Sequence, residues 1–196
     1  HKRLAPRFDI LFLMRPTLFL SVWVMVVIGM SAAQMHYNDS PLWISGFSLQ
    51  TLIIFIGLTF VCSSAFILNQ ITDQESDRVN NKLFLVGKYI SEEKSQNIAK
   101  YLLIAGLIAL LIFNWFSAMI ASLIYLIWGI LYSSAPFNWK SRPLLGWLAN
   151  SIVGILLFVL GWGIVLKNHQ SSPLIPFDIS MVYLLFPYAL SFSSVA

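Results

Sequence analysis

The sequence predicts an all-α, polytopic transmembrane helical bundle. Of its 196 residues, 58% are hydrophobic and only 10% are charged. Mean hydropathy is +0.79, and the apolar residues come in long runs with little charge inside them. A soluble domain averages about 25% charged residues. A chain of this size has no interior large enough to hide the excess apolar surface, so lipid must be the solvent for most of it. Helices satisfy their own backbone polar groups and can cross that solvent.

A helix needs about 20 apolar residues to cross a bilayer. The first candidate covers 17–35, entered through Arg15-Pro16. Its apolar run is longer than the roughly 7–15 residues of a signal-peptide core, so it reads as a retained helix. The second covers 47–68, with no charged residue between Phe47 and Leu68. From Ile98 to Tyr132 the only charge is Lys100. As one helix this run would extend about 50 Å against a core of about 30 Å. It must fold back, and Asn114-Trp115 is the available polar break, which gives spans at 98–113 and 116–133. Further candidates cover 144–166 and 181–196, making six. There is no internal repeat and no low-complexity tract.

Six spans place the N-terminal tail and the loops at 69–97 and 134–143 on one side. Those segments, with the start of the helix after 97, carry Lys2, Arg3, Arg7, Arg15, Arg78, Lys82, Lys88, Lys94, Lys100, Lys140 and Arg142. That is eleven of the twelve basic residues, and the other side has Lys167 alone. The bias marks the first side as cytoplasmic. The expected location is therefore multi-pass in a membrane, the inner or plasma membrane in a prokaryote, with the N-terminus in the cytoplasm. Trp43 and Trp115 on one side, with Trp139 and Trp147 on the other, fit interfacial belts. The pI of 9.3 thus follows from topology, and no nucleic-acid partner is expected. Cys62 is the single cysteine, so no intrachain disulfide forms. His1, His36 and His169 lie in separate polar segments and make no metal site.

The chemistry gathers at the end of the second span, in "NQITDQESDRVNNK", residues 69–82. Asn69, Asp73 and Asp77 are spaced by four, which on a helix stacks them on one face with about 6 Å of rise between neighbours. Glu75 falls on the opposite face. Two stacked carboxylates with no lysine between them repel, and a divalent cation would relieve this. Mg²⁺ takes oxygen ligands and is commonly shared with substrate phosphates. Arg78 and Lys82 follow, a mixed field that suits an anion carrying its own metal. Taken alone, a D-x-x-x-D also fits a solvated acidic helix end. Directly after a membrane helix, however, such charges are costly unless used.

These residues resemble a known pattern. "N-Q-x-x-D-x-x-x-D-R-x-N-x-K" looks like the first aspartate-rich motif of UbiA-type intramembrane prenyltransferases. "LYSSAPFNWKSRPLLGWLAN" is similar to that family's Y-S-x-x-P-x-x-x-K stretch, and "MRPTLFL" resembles its Arg-Pro entry to the first helix. The resemblance implies a UbiA-like domain over 1–196 and a bundle of nine helices, of which six would be present here. It implies Mg²⁺-dependent transfer of an isoprenyl group from an isoprenyl diphosphate to a lipophilic, usually aromatic acceptor within the bilayer. Carried over by position, Asn69, Asp73 and Asp77 would hold Mg²⁺, Arg15, Arg78 and Lys140 would contact the diphosphate, and Tyr132 would line the reacting end. Asp73, Asp77, Lys140 and Tyr132 are then the catalytic set.

Gln70 stands where many members have aspartate, and Leu83 follows Lys82 where a proline is common. A second aspartate-rich motif is expected beyond Ala196, so the polypeptide as given is not expected to be competent alone. Asn150, inside the fifth span, is expected to bond a neighbouring helix or to line a cavity. The alternative class, a multi-pass transporter with a cytoplasmic-side ion or anion site, would place charges or broken helices near mid-membrane. Here the charges gather at one mouth.

Overall fold

The computed structural model describes residues 5–38, 48–80, 85–169, 181 and 183–187. Among them, five helices are long and apolar enough to cross a membrane: Pro16–Tyr37, Leu49–Thr72, Glu92–Phe113, Trp115–Tyr132 and Pro143–Leu166. The protein is a multi-pass helical membrane bundle. Most of the sixth span expected at 181–196 lies outside the described residues, as do Lys2, Arg3, Trp43 and Lys82.

A short helix, α1 (Ala5–Leu13), precedes the first span. The chain then turns at Arg15 (φ 55°, ψ 62°) into one 3₁₀ turn, Pro16–Leu18, with Pro16 at the tolerated first position. From there α2 (Phe19–Asn38) crosses, and α3 (Leu49–Thr72) returns. Ser48 starts α3, its side chain accepting from the Thr51 N–H at 3.2 Å.

The helix expected to continue through Asn69, Asp73 and Asp77 instead bends at Asp73 (φ −94°, ψ 0°), and a separate turn, α4 (Gln74–Val79), follows. The four-residue ladder survives the bend. The Asp73 N–H bonds Asn69 O at 3.0 Å, and the Asp77 N–H bonds Asp73 O at 2.8 Å.

The next span, α5 (Glu92–Phe113), begins six residues before the expected Ile98. Hydropathy misses that start because the first turn is polar. Ser91 caps it by accepting from the Lys94 N–H at 3.3 Å, and Glu92 and Glu93 suit the positive end of the helix dipole. Asn114 makes the expected reversal within one residue. Its N–H closes α5 on Leu110 O at 2.7 Å, while its Oδ1 accepts from the Phe116 N–H at 3.0 Å to start α6 (Trp115–Tyr125).

The fourth span does not stay α-helical. Leu126–Tyr132 widens into a π-helix. Beyond it, the Ser133 and Ser134 hydroxyls donate to the carbonyls five residues back, Trp128 O at 2.8 Å and Gly129 O at 3.1 Å. Such wide turns are rare and concentrate at functional sites. After a second 3₁₀ turn at Trp139–Ser141, α7 (Pro143–His169) forms the fifth span.

Small residues let the helices meet. A Cβ on Gly161 of α7 would fall 2.1 Å from Val26 O of α2, and one on Gly29 would fall 2.1 Å from Phe158 O. Likewise a Cβ on Gly106 of α5 would lie 2.6 Å from Gly57 O of α3. Hydrophobicity gives helices no preference for one another over lipid, so such close backbone contact is a main source of cohesion. The α3 and α7 spans are 67% buried in the bundle, against 17% for α5. The site is accordingly built on α3 and α7, with the wide end of the fourth span between them.

Candidate active site

Along α3 the cavity wall changes from Ala65 and Phe66 to Asn69, about 6 Å nearer the helix end. The fourth span contributes Trp128, Tyr132 and Ser133, and α7 contributes Asn150. Arg15, Leu18 and Ser21 close the side next to α2. The cavity, open on one side, has a volume of about 440 Å³, within the usual range for small-molecule pockets of about 300–1,000 Å³. It therefore has a polar mouth and an aromatic, apolar interior. The Phe66 and Trp128 rings lie 5.5 Å apart between centroids. The Trp128 indole N–H donates to Asn150 Oδ1 at 2.9 Å. Asn150 thus does both things its position allowed, bonding another helix and lining the cavity.

Arg15 is the charged residue in the cavity wall, and Lys140 adjoins that wall through Asn69. Its Nζ donates to Asn69 Oδ1 at 3.1 Å and to Thr72 Oγ1 at 3.0 Å, and it forms a salt bridge with Asp73. These partners lie 67 to 71 residues away in sequence. Both side chains of the ion pair are mostly buried, 20% and 24% exposed, so the attraction is screened less than at an open surface. Ser133 also donates to Asn69 Oδ1, at 3.2 Å. Local turns place Lys140. Asn138 adopts a left-handed conformation (φ 40°, ψ 53°), one that Asn tolerates better than most residues, and the 3₁₀ turn at Trp139–Ser141 follows directly.

Of the residues expected at the site, Asn69, Asp73, Lys140, Tyr132 and Arg15 come together around the mouth and cavity. Asp77 is buried one turn beyond Asp73, in α4. Arg78, expected at the diphosphate, points elsewhere. It pairs with Glu75 at 2.8 Å, the two side chains being 67% and 74% exposed, because the bend at Asp73 starts a new short helix whose i,i+3 neighbours meet outside. No lysine lies between the two carboxylates in sequence, but Lys140 reaches Asp73 in space. Two participants escaped the sequence reading. Thr72 was signalled only by being a hydroxyl beside Asp73, and Ser133 only by following Tyr132 in the Y-S stretch.

Among the described residues, no three His, Cys, Asp or Glu side chains gather as a metal cage. What converges is a set of hard oxygens, from Asn69, Thr72 and Asp73, on one ammonium group. That donor type fits Mg²⁺, which keeps waters and substrate phosphates in its shell and asks few ligands of the protein.

The sequence pattern of the UbiA prenyltransferase family matches residues 21–196. No curated protein matches the chain. A solved structure described as concerning digeranylgeranylglyceryl phosphate synthase in membranes aligns with a TM-score of 0.72 at 21% identity, covering 98% of this chain and 61% of that one. The chain thus spans less than two thirds of that neighbour's length, and at this identity the likeness establishes a shared fold. With the family pattern running over nearly the whole chain and the helical bundle agreeing with it, the chain belongs to the UbiA prenyltransferase family.

Proposed function

We propose that the protein transfers an isoprenyl group from an isoprenyl diphosphate to a lipophilic, aromatic acceptor within the membrane, in an Mg²⁺-dependent reaction. The observation that carries this reading is Asn69, a wall residue of a largely aromatic and apolar cavity, held by Lys140, which is itself paired with Asp73. A diphosphate needs cations at the mouth, and an isoprenyl chain needs the apolar interior.

Asn69, Asp73 and Asp77 are the residues that would hold Mg²⁺, and the bound ion would neutralise charge on the leaving group. The chain's own residues account for the rest. As the allylic carbon–oxygen bond breaks, its electron pair goes to the diphosphate oxygen. Lys140 and Arg15 then face more negative charge than in the ground state, which is the condition for lowering a barrier rather than merely tightening binding. The allylic carbon becomes cationic beside Phe66, Trp128 and Tyr132, whose ring faces attract positive charge. The acceptor attacks that carbon, and the proton it loses passes to the released diphosphate. Ala65, Phe66 and Leu18 make that part of the wall apolar, which disfavours water that would otherwise capture the cation.

The test is transfer by the full-length protein in proteoliposomes, with a radiolabelled isoprenyl diphosphate and a panel of aromatic lipophilic acceptors. Labelled product and released diphosphate are expected with Mg²⁺ and absent with EDTA. Uptake of an ion or anion into the vesicle lumen without any diphosphate release would favour the transporter reading instead.

The same reading places the mouth in the cytoplasm. Cys62 is fully buried, so an introduced Ser141→Cys should react with an impermeant maleimide only from the cytoplasmic side. Labelling in intact cells would reverse the orientation.

A further inference from the structure

Gln70 follows Asn69, a wall residue of the cavity, but its side chain works on a different element. Its Nε2 donates to the Leu13 carbonyl at 2.6 Å and to the Phe66 carbonyl at 3.4 Å. Leu13 is the last residue of α1, so its carbonyl has no partner within its own helix. The Leu13 side chain is fully buried in a small cluster with Ile67, Leu85, Val86 and Ile90. Ile67 and Gln70, three apart on α3, therefore grip one residue by its side chain and by its backbone.

Two residues later the chain enters the left-handed region at Arg15 (φ 55°). The turn is closed by Arg15 N–H to Phe12 O and Leu18 N–H to Arg15 O, both at 3.0 Å. Side chains other than glycine avoid this conformation, and it persists where the surroundings over-determine it. The result is that Arg15 lines the cavity beside Asn69.

We infer that Gln70 is a positioning residue for Arg15: its amide N–H fixes the end of α1 so that the left-handed turn presents the guanidinium to the cavity mouth. The inference rests on the diphosphate reading of that mouth. An aspartate is shorter and, ionised, has no N–H, so it could not make the bond to Leu13.

Binding decides the matter without catalysis. The full-length chain in detergent is titrated calorimetrically with farnesyl thiodiphosphate, an unreactive diphosphate analogue, in excess Mg²⁺. Arg15→Met should weaken binding by roughly 10- to 100-fold, the usual loss for a hydrogen bond to a charged group. Gln70→Met should weaken it by a similar factor, and the double variant should bind no worse than Arg15→Met alone. Gln70→Leu also removes the donor without adding charge and serves as the second variant should Gln70→Met not fold.

A merely structural Gln70 predicts a lowered melting temperature with unchanged affinity, and that result would overturn the inference. So would losses that multiply in the double variant, or an Arg15→Met that binds normally. If the unaltered, monodisperse protein binds no farnesyl thiodiphosphate, the diphosphate reading itself fails and the inference falls with it.

Discussion

Where α2 crosses α7, backbone meets backbone. Gly29 and Gly161 each leave room for the other helix's carbonyls, with no side chain between them. At the cavity mouth the opposite holds. Side chains from three segments reach across a gap, and one ammonium group gathers oxygens from Asn69, Thr72 and Asp73. The crossing is specified by shape and tolerates almost no added atom. The mouth is specified by charge, and its groups are costly to bury unless paired. The first arrangement supplies stability, and the second keeps charged groups in a membrane protein at a place where they are useful. The difference teaches which measurement to make on a variant. Changes at the crossing should appear in folding, and changes at the mouth in turnover.

The comparison is tested hardest at Asp73. Asp73→Ala in the full-length protein should remove nearly all turnover per folded molecule, with a stability loss of up to about 3 kcal/mol because Lys140 loses its carboxylate. Retained activity with ordinary Mg²⁺ dependence would dissociate the mouth from chemistry. Lys140→Met comes next, with kcat expected to fall roughly 10²–10³-fold, the loss typical of one electrostatic donor to a developing charge. Lys140→Arg should rescue only part, because a planar fork replaces a point charge. An unchanged kcat in correctly inserted Lys140→Met protein would reduce this residue to a topology anchor.

At the crossing, Gly161→Val should destabilise by about 1–3 kcal/mol or more, since the new Cβ must push a carbonyl rather than a flexible side chain. Thermal unfolding in detergent reads this, with kcat per folded molecule largely unaffected. A drop in kcat at full stability would mean that the two regions are coupled. Asn114→Ala removes the cap that starts α6 and should cost about 1 kcal/mol.

The smallest effect is expected at the exposed Arg78–Glu75 pair, where Glu75→Ala should change stability by less than about 1 kcal/mol and activity by less than a few-fold. A loss as large as that of Asp73→Ala would mean that the outward-facing pair belongs to the site after all.

Much of this was legible in the order of residues. Charge-free runs fixed where the chain enters lipid, because a charge in the hydrocarbon has no solvent. Asn114 was readable as the reversal because the run around it exceeded the bilayer thickness. Asn69 and Asp73 were readable as one face because their four-residue spacing matches a helical turn, and that ladder survived. The outward turn of Arg78 was not legible, since the bend at Asp73 depends on what packs around it. Nor was the widening of the fourth span at Leu126–Tyr132, where two serines reach carbonyls five residues back.

Local composition and spacing were enough for the solvent, for the five crossings found among the described residues, and for the residue types available at the mouth. A helix converts both directly into geometry. Only the tertiary structure decided that Lys140 sits on Asp73, that Gln70 serves α1 rather than the mouth, and that Asn150 meets Trp128. Those contacts join residues from 22 to 67 positions apart. Their partners are set by how glycine-lined helices nest, and no periodicity within a single helix encodes that.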